Sequence, residues 1–307
     1  MKQIFQKVTQ QLIDQLTEIE KGERPAQWFK PWTASGMPTR PTNQLTGAPY
    51  KGINSFMLYM TALSEGYRTN QWVTFKQKDI YNEQHNTELK LIKGCHGSPI
   101  FKYVEWVPRD YKASGDGSCY INTKTGEVKK PEEARAIALR SYTVFNLDQM
   151  ENLPDGLIPD NNEPINWAQR YVEAQQFVLG LPCEVRHGTI DKAYYMPGKH
   201  FIMMPNRSQF KDPADYYGTL FHEHVHSTGP VLERDMGGSM GDERYAKEEL
   251  VAEIGAAMLA ARFGIAAPLQ HPQYIQSYMS QLQASDRAFW DAANKAQKAV
   301  NHLTGEE

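Results

Sequence analysis

The feature that most constrains the fold is the segment at residues 221–226, which contains the pattern H-E-x-x-H. On an α-helix, residues four apart share a face, so His222 and His226 can direct ring nitrogens at one metal ion. Glu223 stands beside them, where it can take a proton from an attacking water. The segment therefore predicts a helix that carries the core of a zinc hydrolase, most often a peptidase. His224 points away from that face and is predicted to have no chemical role.

The residues around the motif favour the helix and offer further ligands. Residues 215–221 predict the first turns of a mostly apolar helix, and the Ser-Thr-Gly-Pro sequence at 227–230 ends it. Residues 245–262 predict a second helix, rich in Ala, Leu and Glu. Its Glu249 and Glu253 share one otherwise apolar face, where buried carboxylates need a partner. We predict that Glu249 ligates the metal and that Glu253 holds a ligand histidine; the reverse order is the alternative.

Composition limits the class of protein. Of the 307 residues, 40% are hydrophobic and 22% are charged, which is typical of a globular chain with a packed core. No apolar run approaches the ~18 residues that span a membrane, and the N-terminus lacks an apolar secretory segment. Cys95, Cys119 and Cys183 are odd in number and widely spaced, so no disulfide framework is predicted and a cytoplasmic location is expected.

Charge divides the chain into two unlike halves. Residues 1–150 carry 20 Lys and Arg against 15 Asp and Glu, whereas residues 151–307 carry 13 against 21. Such an asymmetry suggests that the first half meets a polyanion. We therefore predict two domains of an α+β protein, 1–150 and 151–307, joined by a proline-rich linker at about residues 150–164.

The first half also interleaves aromatic and basic residues, the combination that binds single-stranded nucleic acid by stacking on bases and following phosphates. Ordinary core packing is the alternative for each aromatic residue in a strand. Trp28 and Trp32 lie in a proline-rich turn, where a core strand or helix is not expected. No zinc finger, helix-turn-helix or RNP sequence is present, so sequence-specific duplex recognition is not predicted. The DNA-binding candidates are Trp28, Lys30, Trp32, Arg40, Asn43, Tyr50, Lys51, Trp72, Lys76 and Arg140.

Hydrophobic periodicity and turn residues predict the elements along the chain. Besides the two site helices, we predict helices at residues 2–21, 54–65 and 165–179. Strands are predicted at residues 72–75, after Ile92, and at 100–107, 141–146, 183–186 and 200–204. Residues 22–49 are predicted to form a loop, and residues 110–130 an exposed loop or hairpin.

Several short motifs carry a family resemblance. In the first half they are Pro41-Thr-Asn43, Thr46-Gly47, Tyr50-Lys-Gly52-Ile-Asn54, Trp72-Val-Thr-Phe75, Lys93-Gly94 and Arg140-Ser-Tyr142-Thr-Val-Phe145-Asn146; in the second half they are His222-Glu223-x-x-His226 and Glu249-Leu-Val-Ala252-Glu253. On these residues the chain resembles the ArdC-type antirestriction proteins of conjugative plasmids over essentially its full length. Its first half also resembles the accessory region of TraC-type primases.

The resemblance implies a single-stranded DNA-binding domain followed by a zincin-like, gluzincin-type metallopeptidase domain. It implies zinc, or another divalent transition metal such as Mn, as the cofactor, and protection of incoming plasmid DNA during conjugation. In related gluzincins the first Glu of an E-x-x-A-D sequence is the third ligand. Here Glu253 stands where Asp is commoner, which leaves the choice between Glu249 and Glu253 open.

Peptide hydrolysis also needs a hydrogen-bond donor for the developing oxyanion. Arg244, Tyr245 and His271 are the candidates, and the sequence does not choose among them. The glycine-rich segment at residues 237–241 separates the two site helices. It predicts either a mobile lid or a plain connecting loop.

Three classes of function are compatible with these features. In the first, a DNA-bound metallopeptidase cleaves a protein met on DNA, such as a subunit of the host restriction system. In the second, the chain protects DNA by binding single strands without sequence preference, and its metal site is structural or inactive. In the third, the metal site hydrolyses nucleic acid, the poorest fit because nucleases use carboxylate-rich Mg²⁺ or Mn²⁺ sites. No membrane partner is predicted.

Overall fold

The computed structural model describes residues 10, 13–14, 16–18, 20–21, 40–158, 167–238, 242–265, 278–280, 283, 285 and 287–306. In chain order, the elements of the first half are β1 (Thr42–Asn43), α1 (Gly52–Ser64), β2 (Gln71–Thr74), α2 (Phe75–His85), β3 (Lys90–Leu91), β4 (Ser98–Trp106), β5 (Tyr111–Ala113), β6 (Tyr120–Asn122), β7 (Val128–Lys129), α3 (Pro131–Ala134), β8 (Ala136–Asn146) and β9 (Met150–Glu151). The described residues between 10 and 20 are also helical.

A four-stranded sheet in the order β1-β2-β8-β4 forms the centre of the first half. The β2–β8 and β8–β4 pairs are antiparallel, and β1 joins β2 in parallel. Helix α1 packs Leu58 and Ala62 against Trp72 and Val144 of the sheet. A separate hydrophobic cluster contains Val73, which follows Trp72 in β2, together with Leu89, Leu147 and Met150. Tyr81 of α2 packs against this cluster. Successive strand residues point to opposite faces, so the sheet is covered on both sides near β2.

The second half combines a small sheet with long helices. Its elements are α4 (Trp167–Leu179), β10 (Glu184–Gly188), β11 (Tyr194–Met196), β12 (Phe201–Pro205), α5 (Pro213–Ser227), α6 (Glu243–Phe263) and α7 (Ala288–Thr304). Strand β12 lies in the middle of the sheet, parallel to β10 and antiparallel to β11. No helix among the described residues is long and apolar enough to cross a membrane.

One hydrophobic core crosses from the first half to the second. The ring of Phe56 in α1 lies 5.5 Å from that of Phe289 in α7, and Phe101 in β4 lies 5.0 Å from Trp290. Such aromatic contacts contribute beyond the area that they bury. Helix α7 in turn packs against α6, so the two halves meet through the C-terminal helix.

The structure corrects several sequence predictions. The strand expected after Ile92 is wrong, because β3 ends at Leu91 and the following residues form a turn. Helix α2 was missed because its polar sequence lacks an apolar period; the Thr74-x-x-Gln77 capping box was its sequence signal. Strand β11 and helix α7 were missed too. The segment predicted as an exposed loop or hairpin is the three-stranded sheet β5-β6-β7.

Other predicted segments fall partly outside the described residues. Of the predicted loop at 22–49, residues 40–49 are described and contain β1. Of the predicted linker, Met150–Glu151 pairs with β3, and residues 159–166 are not described. The predicted helices at 54–65 and 165–179 correspond to α1 and to the described part of α4.

Candidate metal centre

The H-E-x-x-H helix is the buried centre of the second half. The side chain of Asp212 accepts a 2.7 Å hydrogen bond from the Ala214 amide and Pro213 is the first residue of α5, both typical of a helix start. From Leu220 to Ser227 every residue is buried. The histidine side chains are therefore held by packing, not on a mobile surface.

The second site helix, α6, lies unusually close to α5. A methyl group placed on Gly255 would stand 2.7 Å from Cγ2 of Val225, well inside contact distance. Only a glycine allows this approach of the two backbones. The side chain of Asp242 accepts a hydrogen bond from the Arg244 amide at the start of α6, which fixes the helix start on the far side of the site. The approach brings the carboxylates of α6 to the histidines of α5.

Three donor atoms converge between these helices. Nε2 of His222 lies 3.1 Å from Nε2 of His226, and carboxylate oxygens of Glu249 lie 3.4 Å from each of them. A tetrahedral ion with ligands at about 2.0–2.1 Å requires donors roughly 3.3 Å apart. This donor set, which is the only three-residue His/Cys/Asp/Glu cluster of metal-binding spacing in the described residues, therefore fits a divalent cation.

Glu253 lies on the other side of the same imidazole. Its Oε1 is 3.8 Å from Nδ1 of His222, while Glu249 approaches the opposite ring nitrogen. Of the two orders that the sequence left open, this geometry favours Glu249 as ligand and Glu253 as the residue behind His222.

Sequence reasoning missed two residues behind the second histidine, Glu248 and Arg234. Nδ1 of His226 is 3.2 Å from Oε1 of Glu248, and the Arg234 guanidinium donates to the same carboxylate from Nη2 at 2.8 Å. Arg234 also donates to the Val225 carbonyl and to the Thr228 hydroxyl, at 2.7 Å each. The acidic pair Glu248-Glu249 was a signal in the sequence, but nothing local points to Arg234.

The buried charges shift one another's titration. Burial opposes a charge on His226, but its hydrogen bonds to Glu248 and Glu249 outweigh burial and raise the pKa of His226 to about 10. Burial raises the pKa of Glu249, but the two histidines have the larger effect and lower it well below its usual range. Burial also raises the pKa of Glu248, but its hydrogen bonds to His226 and Arg234 outweigh burial and lower it. Both carboxylates therefore remain ionised, and a divalent cation would replace the proton that they hold on His226.

A cavity of about 280 Å³ opens onto the cluster and includes Glu223, Tyr245 and Tyr194 of β11 in its lining. Of the three oxyanion candidates, Tyr245 lies in this lining. The Arg244 side chain is 59% exposed and reaches Asp235 and Asp242, and His271 lies outside the described residues. Of the glycine-rich segment at 237–241, residues 239–241 lie outside as well.

His224 points away from the cluster, as predicted. It is fully buried, borders a separate cavity of about 190 Å³, and burial lowers its pKa to about 3. Its ring is therefore neutral at physiological pH.

The DNA-binding candidates lie in different environments. Trp72 is 0% exposed and its indole donates to Asn70, so its ring belongs to the core and the prediction that it stacks on a base is not supported. Asn43 caps the turn before Thr46, Tyr50 packs on the same core cluster as Trp72, and Arg40 bonds Glu306 at 3.0 Å. The exposed candidates are Lys51, Lys76 and Arg140, and Trp28, Lys30 and Trp32 lie outside the described residues.

Two family models match the chain, one on each side of the predicted domain boundary. Residues 2–145 match the N-terminal domain of the anti-restriction factor ArdC, and residues 172–295 match a zincin-like metallopeptidase. A protein of Sinorhizobium fredii, y4eC, is 31% identical over 309 residues, which cover 99% of this chain and 92% of its own. The DNA primase TraC of Escherichia coli is 33% identical over 304 residues; these are 97% of this chain but 26% of that longer protein.

Solved structures match over the whole chain as well. The metal-free antirestriction ArdC protein from plasmid R388 has a TM-score of 0.67 and 31% identity, covering 99% of this chain and 98% of its own. Its Mn(II)-bound structure has a TM-score of 0.67 and 32% identity, covering 98% and 97%. These matches confirm the resemblance inferred from the motifs and the predicted two-domain α+β architecture.

Proposed function

This chain belongs to the ArdC family of antirestriction proteins, and on that premise we propose that it protects incoming plasmid DNA from host restriction during conjugation. In this proposal the first domain, residues 1–150, binds single-stranded DNA without sequence preference. The second domain, residues 151–307, follows a linker at about 150–164 and is a metal-dependent peptidase. A protein of the host restriction system is its candidate substrate.

His222, His226 and Glu249 would hold the divalent cation. The convergence of their donor atoms at 3.1–3.4 Å is the observation that carries the peptidase proposal. The match to zincin-like metallopeptidases and the Mn(II)-bound structure of R388 ArdC support a divalent metal, with zinc expected for two imidazoles and one carboxylate. When bound, such a cation supplies Lewis acidity, which activates water and polarises a peptide carbonyl.

The remaining chemistry is assigned to groups of the chain that border the cavity. Glu223 accepts a proton from the attacking water and returns it to the leaving amine, the work of a general acid–base. The hydroxyl of Tyr245 is the proposed donor to the developing oxyanion, because it shares the cavity with Glu223.

Two carboxylates hold the ligand rings from behind. Glu248 accepts from Nδ1 of His226, which leaves Nε2 with its lone pair toward the metal position. Arg234 in turn holds Glu248 in place by hydrogen bonds, and Glu253 orients the His222 ring from its Nδ1 side. These three are positioning residues, since the cation would be bound by other atoms.

Metal content and DNA protection test the proposal together. We expect about one transition metal per chain in the wild type by mass spectrometry, its loss in His222→Ala, and unchanged binding of single-stranded DNA by that variant. The transfer of a plasmid into restricting and non-restricting hosts then measures protection. Glu223→Gln should keep the metal, keep DNA binding and lose protection.

Three results would contradict parts of this proposal. Full protection by Glu223→Gln would leave a DNA-binding protector with a structural or inactive metal site. Absence of metal from wild type purified with Zn²⁺ and Mn²⁺ present would overturn the peptidase assignment. If plasmid transfer with Glu223→Gln stays low in a host that lacks the restriction enzyme, the defect is not a loss of protection; a lowered melting temperature of the variant would assign it to misfolding.

A further inference from the structure

Strands β4 and β8 carry a row of cations and aromatics on one face. Their register places Lys102 directly opposite Arg140, Ile100 opposite Tyr142 and Trp106 opposite Ala136. Because side chains alternate between faces, these pairs all lie on the same side of the sheet. Lys102, Trp106, Arg140 and Tyr142 together are called the basic–aromatic face.

Helix α1 covers only the inner end of this side. There Leu58 and Ala62 pack on Val144, with Ile100 at the edge of the cluster. Further along the two strands the side chains on this side are more exposed: Tyr142 is 40% exposed, Trp106 is 39% exposed, and Lys102 and Arg140 are exposed. The rings of Tyr142 and Trp106 are therefore partly in contact with solvent.

The charges on the face are not balanced. Like charges directly opposite on neighbouring strands repel and destabilise a sheet. The single carboxylate in the two strands is Glu105, which lies on the other side and pairs with Arg135 at 3.2 Å. Other exposed lysines of the first half do have acidic partners, such as Lys124 with Asp110 and Lys90 with Glu88. In the described residues, Lys102 and Arg140 make no ion pair.

We propose that the basic–aromatic face binds single-stranded DNA, with Lys102 and Arg140 on phosphates and Tyr142 and Trp106 stacked on bases. The inference rests on the proposed DNA binding of the first domain and names its surface. A polyanion removes the repulsion between the two cations. Exposed rings stack on bases that are unpaired, since bases in a duplex already stack on one another. Tyr142 and Trp106 are six residue steps apart, roughly 20 Å, which fits a short strand segment and not a single phosphate.

Fluorescence anisotropy with a labelled oligo(dT) measures the effect. Lys102→Ala with Arg140→Ala should weaken binding at least tenfold at moderate salt. Each lost phosphate contact should lower the slope of log affinity against log salt by about 0.7. Tyr142→Ala and Trp106→Ala should each weaken binding roughly tenfold, whereas Tyr142→Phe keeps a stacking ring and should bind as the wild type does.

The matched control is Lys192→Ala with Lys199→Ala, which removes the same charge from exposed positions of the second domain. The Lys102/Arg140 double variant should melt no lower than the wild type, because a repulsion is removed, so weaker binding is not explained by unfolding. If the wild type binds oligo(dT) and the face variants bind it as well as the control variant does, the assignment of this face is wrong, but the proposed DNA binding stands. If the wild type does not bind oligo(dT), both the assignment of the face and the proposed DNA binding are wrong.

Discussion

The metal centre and the basic–aromatic face hold their charges in opposite environments. In the metal centre, the side chains of His226, Glu248 and Arg234 are largely buried, and each contacts a group of opposite charge. On the face, Lys102 and Arg140 are exposed, lie side by side and have no acidic partner in the described residues. A buried charge must be compensated by the protein itself, because water is excluded. Exposed charges are screened by water and need no partner within the chain, so Lys102 and Arg140 stay available for the proposed DNA strand.

The largest effect is expected from the positioning carboxylate of the metal centre. Glu248→Gln keeps the shape of the side chain but removes the negative charge that holds Nδ1 of His226 and pairs with Arg234. Loss of such an outer contact typically weakens metal binding by about 10- to 100-fold. Competition with a chromophoric chelator measures the affinity.

Glu243→Gln is the matched control, since Glu243 lies on the same helix with its side chain 72% exposed. Binding of oligo(dT) by Glu248→Gln should be unchanged, which keeps the two regions separate. Equal metal affinities in both variants would show that Glu248 is only a structural neighbour.

A second, smaller effect tests the approach of the two site helices. Gly255→Ala places a methyl group 2.7 Å from Val225, and such overpacking costs about 1–3 kcal/mol of unfolding free energy. Because the strain separates α5 from α6, metal affinity should fall along with the melting temperature. Chemical denaturation and chelator competition measure the two quantities.

Val225→Ala in the Gly255→Ala background makes room for the new methyl group. It should restore part of both the stability and the metal affinity, a coupling that a double-mutant cycle detects. Additive losses would mean that the close approach at Gly255 does not set the distance between histidines and carboxylate.

The smallest effect is expected at an ion-pair link between the two halves of the chain. Glu306 joins Arg40 of the first half to Arg262 of α6, and its hydrogen bonds to Arg262 and Arg40 lower its pKa. Because this pKa is lowered by folding, the ionised carboxylate stabilises the folded state at any pH above the ordinary pKa of a glutamate. This contribution is lost as the pH falls through the lowered pKa of the folded state. Because the pair is partly exposed, Glu306→Gln should cost less than about 1 kcal/mol at pH 7.

Thermal melting at several pH values measures this loss. The difference between wild type and Glu306→Gln should shrink as the pH falls below 4.5. Glu132→Gln, at an exposed position of α3, is the control. A difference that stays constant with pH would show that packing, not charge, links the halves.

Local patterns in the sequence predicted the elements whose stability is local. The four-residue spacing of His222 and His226, the apolar turns before them and the Ala-rich helix with Glu249 all follow from contacts within one helix. The polar helix α2 shows the limit of this reasoning. Its sequence has no apolar stripe and offers only the Thr74-x-x-Gln77 capping box as a signal, and its burial of Lys78 depends on packing between segments.

The sequence by itself determined that His222 and His226 share one face of a helix, and that a basic, aromatic half precedes an acidic one. It could not determine which carboxylate of α6 meets which ring nitrogen, because that depends on the crossing of two helices whose contact Gly255 permits. It could not show Arg234 behind Glu248, or Trp72 in the core while Tyr142 is exposed. Those facts come from packing between segments far apart in the chain, and only the tertiary structure decides them.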